Sequence, residues 1–219
     1  MTIYFLLLLF WFLLYLAQKE MIRYFKIKNT KLIYTIISGF MLLLIMGLRH
    51  PTVGADTENY LFHYNNITSQ FDLHFLRTFS EWGFVVFNMI IKIFLKLGNQ
   101  QYLFLTSMII VICFMSFFYR YSANIFLSLY LHVTIGLFAM SLTGLRQILA
   151  ICLFMLAFYY MEKKKLIFYL IVVASAYFVH NSALVLIPIY FIRNINLNFK
   201  KALFVFVSTV SLLFFRLYL

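Results

Sequence analysis

Carboxylates are scarce in this sequence. Six Asp and Glu stand against 18 Lys and Arg in 219 residues, and charged residues of both signs make up only 11% of the chain. Soluble domains carry roughly a quarter charged residues, so a soluble globular domain is excluded. Cysteine is rarer still: Cys113 and Cys152 each sit inside an apolar run. That excludes a disulfide framework and a C-x-x-C metal site. No fixed-period repeat and no low-complexity tract is visible, so a solenoid or a biased linker is excluded as well. The net charge of +12 is scattered among short breaks and forms no stripe, and no nucleic-acid partner is expected.

Apolar residues fill the rest, at 65% of the chain with a mean hydropathy of +0.96. They come in runs of roughly 14 to 20 residues, the length of helices in a hydrocarbon core and not of period-2 barrel strands. The expected fold is all-α, a polytopic transmembrane helical bundle of about eight membrane segments, some short or broken. A single transmembrane domain over 1–219, with an outer-face loop at 49–82, is the expected organisation.

The cations orient this bundle. Lys19 and Arg23 follow the first run, Ile3 to Leu16, which is the reverse of a cleavable signal and predicts a retained span with the N-terminus outside. Lys19, Arg23, Lys26, Lys28 and Lys31 then mark a cytoplasmic connection by the positive-inside rule. Counting onward, Leu32 to Leu48 crosses outward, Phe84 to Leu97 inward to a tight turn at Gly98 to Gln101, and Tyr102 to Tyr119 outward again. This leaves Arg120 as an outer exception. Ser128, His132, Gly136 and Gly144 interrupt the next stretch, so 125–144 is predicted to be broken or re-entrant. Arg146 to Met161 crosses inward, Leu166 to Val179 outward, and Ala183 to Ile192, with Pro188 inside, returns. The chain is expected to be a multi-pass protein of the plasma or inner membrane.

The polar residues gather where the apolar ones do not. Between Arg49 and Trp82 lie Asp56, Glu58, Asp72 and Glu81, together with His50, His63 and His74. The predicted topology brings Arg49, Asp56, Glu81, Arg146 and His180 to one outer face. Arginine forks suit carboxylates and phosphates, and lipid diphosphate is what that face of a bilayer can offer. Arg146 sits in a setting too apolar for a free charge. His180 is open between core hydrogen bonding and acid–base work, whereas His132, alone in an apolar run, reads as structural. Gly54 to Thr57 reads equally as a turn in which Asp56 caps a following helix. Asp56, Glu58 and His63 have metal-ligand chemistry at a spacing that matches no tight template, so neither a metal nor a cofactor is expected. Tyr60 and Trp82 suit an interfacial belt or a platform for sugar rings.

Four pieces in order carry a resemblance: Leu48-Arg49 with Val53-Gly54-Ala55-Asp56-Thr57-Glu58-Asn59-Tyr60, then Glu81-Trp82-Gly83-Phe84, Leu145-Arg146-Gln147, and Val179-His180-Asn181-Ser182-Ala183. Together they resemble the EpsG-like family of exopolysaccharide polymerases, related in role to Wzy-type polymerases, with Ala55 in place of the usual Thr. The resemblance implies glycosyl transfer on the outer face in exopolysaccharide or capsule biosynthesis, joining oligosaccharide repeat units carried on polyprenyl diphosphate. Arg49 and Arg146 would then stabilise the diphosphate, Asp56 or Glu81, with His180 as rival, would take the acceptor proton, and Tyr60 and Trp82 would hold sugar. The lipid bilayer, a flippase and a chain-length regulator are the implied partners. Members of the family normally run past Leu219, so a truncated chain is expected, with activity in doubt. The alternatives are a polysaccharide transporter or flippase-like protein and a non-catalytic membrane component of the export machinery.

Overall fold

Apolar runs bounded by lysines and glycines become helices because backbone polar groups at membrane depth must bond within their own segment. A computed structural model of the protein describes residues 2–25, 29–67 and 81–192. Asp72, His74 and the last apolar run from Ala202 lie outside the described residues. All regular structure among the described residues is helical: α1 (Thr2–Phe25), α2 (Thr30–Gly47), α3 (Thr57–Asn65), α4 (Trp82–Ile90, continued by a π turn at Ile91–Leu95), α5 (Asn99–Tyr121), α6 (Ile125–Thr134), α7 (Leu137–Thr143), α8 (Leu145–Glu162), α9 (Leu166–Val179), a 3₁₀ turn at Asn181–Val185 and α10 (Leu186–Ile192). The chain divides into two compact units, Met1–Leu184 and Val185–Leu219.

Among the described residues four helices are long and apolar enough to cross a membrane: α1, α2, α5 and α8. The pair α6 and α7 adds a fifth when taken as one span, bent by 58°. The break falls at Gly136, whose φ of 86° is the left-handed conformation that glycine adopts without a Cβ penalty. Within the first unit α2 packs on α5 through small residues. A Cβ on Gly39 would meet Met115 at 3.0 Å, and one on Gly47 would meet the Phe104 ring at 2.7 Å. Close approach of this kind is how helices associate where lipid is as apolar as leucine. Trp11, Tyr34, Leu42, Tyr102, Phe114 and Phe138 fill the core, which also holds His132 among Phe114, Phe118 and Phe138.

Three crossings run differently from the sequence expectation. Gln100 Nε2 donates to the carbonyls of Gly47 at 2.6 Å and Arg49 at 3.4 Å, so α5 starts at the Arg49 end of α2. It finishes at the other end, where Lys31 Nζ donates to the Ser122 carbonyl at 3.2 Å. The segment Phe84 to Leu97 therefore does not return to the lysine side. Tyr64 donates to the Leu97 carbonyl at 2.7 Å, and Tyr102 donates to Asn88 Oδ1 at 2.8 Å, holding α4 beside α3 and the first turn of α5. Its 14 residues reach about 21 Å, short of the roughly 30 Å hydrocarbon core. Gly98 to Gln101 opens α5, with Gln101 Oε1 accepting from the Gly98 amide at 3.0 Å; it is not an inner turn.

The bent pair α6 and α7 then makes one passage back to the Arg49 end, where Arg49 donates to the Ser141 carbonyl and Thr57 to the Leu142 carbonyl. Helix α8 returns to the lysine side, with Tyr121 donating to Glu162 Oε2 at 3.0 Å. Arg120 consequently lies with Lys31 and Lys163–Lys165 and is no exception to the charge pattern.

Candidate functional site

Three segments far apart in sequence meet on one carboxylate. Glu81 sits in the residue before α4 and is buried at 8% exposure. Arg146, the second residue of α8, donates from Nη1 to Glu81 Oε2 at 2.5 Å. His180, just beyond the end of α9, places Nδ1 2.5 Å from Glu81 Oε1, and the Asn181 amide donates to the same oxygen at 3.3 Å. A buried carboxylate with both oxygens occupied by a cation, a ring N–H and a backbone N–H is fully satisfied.

The local folding explains how these residues arrive together. The apolar run Leu166–Val179 stops at His180, whose extended backbone turns the chain toward Glu81. Trp82 packs on Phe178 with ring centroids 4.3 Å apart. The next residue must be small, because a Cβ on Gly83 would come within 2.8 Å of the Phe178 carbonyl. Arg146 lies 5.8 Å from the centre of the Tyr60 ring, and Tyr60 stands edge-on against Phe84 at 5.6 Å. A pocket of about 80 Å³ of mixed character opens beside them, its polar groups from Asn59, Tyr60, His63, Asn88 and Arg146 and its apolar wall from Ile67, Phe84 and Val85.

With Glu81 ionised and accepting at Nδ1, the His180 proton resides on that nitrogen and Nε2 keeps its lone pair. The arrangement can therefore accept a proton at Nε2 while Glu81 stabilises the imidazolium that results. Arg146 keeps 45% of its side chain exposed while paired, so its fork is open to an anion approaching from solvent.

Arg49 has a different environment. It is 8% exposed, and among the described residues its Nε has no partner and its one side-chain hydrogen bond is to the Ser141 carbonyl at 3.5 Å. Burial pulls its guanidinium down to about 10. Asp56 occupies the position before α3 but its side chain forms no cap; it is exposed, one turn before Tyr60. The backbone there is anchored from the other side, since Gly54, at φ 100°, abuts the Leu142 carbonyl too closely for any Cβ.

Of the residues singled out by sequence, the structure joins Glu81, Arg146, His180, Tyr60 and Trp82 into one neighbourhood. Arg49 and Asp56 belong to the adjoining segment that is fastened to the end of α7. Sequence reasoning missed Asn88, and it named Gly83 and Asn181 only as parts of the family-like pieces, with no role for either. Asn88 had a signal, an amide alone in an apolar run, but the Asn181 backbone and Gly83 acquire their roles only through long-range contact. Among the described residues no three His, Cys, Asp or Glu side chains gather as metal ligands would. Comparison with known protein families matches residues 31–219 to the EpsG family. No curated protein matches the chain, and no solved structure does.

Proposed function

The chain belongs to the EpsG family, and on that premise we propose that it is a polymerase joining oligosaccharide repeat units carried on a polyprenyl diphosphate. The positive-inside rule sets the lysine-bearing end in the cytoplasm and the Glu81 cluster on the outer face of the cell membrane. The observation that carries the reading is Glu81 bridging Arg146 and His180.

In the proposed reaction an acceptor sugar hydroxyl attacks the anomeric carbon of the donor. The bond from that carbon to the diphosphate oxygen breaks, and the diphosphate leaves with the electron pair. His180 Nε2 takes the hydroxyl proton, with Glu81 holding the ring, and proton transfer of this kind contributes about 10²- to 10⁴-fold. Arg146 and, from its buried position, Arg49 stabilise the charge that develops on the diphosphate. Tyr60 and Trp82 offer aromatic faces to the sugars. Asp56, exposed beside α3, is the second candidate for the base.

The test is complementation of a host lacking its own polymerase, with lipid-linked saccharides sized on a gel. The unchanged chain restores long polymer; His180→Gln leaves single repeats, while Asp56→Asn retains polymer. Loss in Asp56→Asn with polymer retained in His180→Gln would move the base to Asp56. Repeats trapped on the inner leaflet would point to transport in place of polymerisation.

A further inference from the structure

We propose that the groove between α5 and α8 at the lysine-bearing end is a binding site for an anionic glycerophospholipid, a site separate from the Glu81 cluster and independent of the polymerase reading. The groove encloses about 390 Å³. Its walls are Ile112, Phe117, Cys152, Met155 and Leu156, and Arg120 with Tyr159 stands at its mouth. From Ile112 to Arg120 it follows about 12 Å of α5, close to the roughly 15 Å depth of one leaflet's hydrocarbon. It thus has the length of an acyl chain and a cation at headgroup level.

Charge selects the occupant. Arg120 is exposed and forms no ion pair among the described residues. Its guanidinium rests 4.5 Å from the centre of the Tyr159 ring and 5.5 Å from that of Tyr121. Glu162, a nearby carboxylate, accepts a hydrogen bond from Tyr121, and Lys163, Lys164 and Lys165 follow it directly. Lys31 adds a further cation on the neighbouring side of α5, 5.3 Å from the Tyr119 ring. An exposed guanidinium held on aromatic faces suits a lipid phosphate, and basic pockets between spans on the cytoplasmic side are where anionic headgroups bind.

The experiment uses the full chain purified in mild detergent from a membrane containing phosphatidylglycerol and phosphatidylethanolamine, with retained lipid read by native mass spectrometry. The expected result is retention of phosphatidylglycerol over phosphatidylethanolamine, undisplaced by inorganic phosphate. Arg120→Gln should lower that retention about fivefold. Leu156→Trp, which fills the groove and keeps the cation, should lower it too, and Arg23→Gln on α1 should leave it unchanged. Equal retention of the two lipids, or an equal loss in Arg23→Gln, overturns the site. Displacement by inorganic phosphate shows a bare anion site, and a change of oligomeric state in Leu156→Trp with lipid retention intact shows that a second copy fills the groove; either result also overturns it.

Discussion

The two ends of the first unit hold arginines in opposite ways. At the Arg49 end, Arg146 grips a buried carboxylate that also holds His180 and Asn181. At the lysine-bearing end, Arg120 lies on aromatic rings with no ion pair among the described residues. Composition does not separate them, since each end carries carboxylates, cations and tyrosines. What differs is convergence. Glu81 is reached by side chains 65 and 99 residues away, so removing Glu81 leaves both Arg146 and His180 unpaired, and removing either of them leaves a buried carboxylate oxygen short of a partner. The contacts of Arg120 can fail one by one.

The largest effect concerns which end is which. Single cysteines placed at Gly98 and Ala123 should label from opposite sides of the membrane, with position 98 reporting the side of residue 50 and position 123 the side of residue 164. The reverse pattern would undo the assignment of α4 as a segment that stays at one end. Next is the cluster itself. Glu81→Gln keeps the shape but removes the charge that Arg146 and His180 share, and polymer yield should fall about 100-fold or more. The same loss is expected for His180→Ala. A Glu81→Gln chain that polymerises normally would reduce the convergence to a packing detail.

A finer contrast lies between the two arginines of one end. Arg49 is buried with no carboxylate partner among the described residues, and lowering its guanidinium to about 10 corresponds to a penalty of about 3 kcal/mol. The folded-state value lies below the unfolded one, so the penalty is fully present at pH below about 10 and relaxes as pH rises through that value. Arg49→Met should therefore raise thermal stability in detergent at neutral pH while impairing polymer formation, the trade expected of a buried charge kept for function. Arg146→Met should lower stability, because it strands Glu81 among groups arranged for a paired carboxylate. A fall in stability in Arg49→Met would show that the Ser141 contact outweighs the desolvation.

Much of the fold was legible. The run Leu166–Val179 is bounded by Lys165 and His180, and α9 has those limits. The polar interruptions of 125–144 predicted a break, and α6 and α7 are bent at Gly136. The apolar surroundings of Arg146 implied a functional or paired role, and Arg146 is paired with Glu81. The passage of 84–97 was not legible, because an apolar run of that length reads the same whether it crosses or lies beside its neighbours. Tyr64 to Leu97 and Tyr102 to Asn88 decide it, and neither bond leaves a local pattern. The orientation of Glu81 on His180 was hidden for the same reason: that the two lie at one end of the bundle could be counted from spans, but which oxygen meets which nitrogen could not.

The smallest effect tests whether the lysine-bearing end is as loosely held as its contacts imply. Tyr121→Phe removes only the hydroxyl that donates to Glu162 at 3.0 Å, and the rings of Tyr121, Phe117 and Phe158 that pack together remain. An exposed hydrogen bond to a carboxylate surrounded by water is replaced by water on both sides, so the stability loss should stay below about 1 kcal/mol. Thermal unfolding in detergent, run beside Glu81→Gln, measures the two ends on one scale. A loss in Tyr121→Phe as large as that in Glu81→Gln would mean that Glu162 is held as firmly as Glu81, and the contrast between the two ends would then lie in chemistry alone and not in how tightly each is fastened.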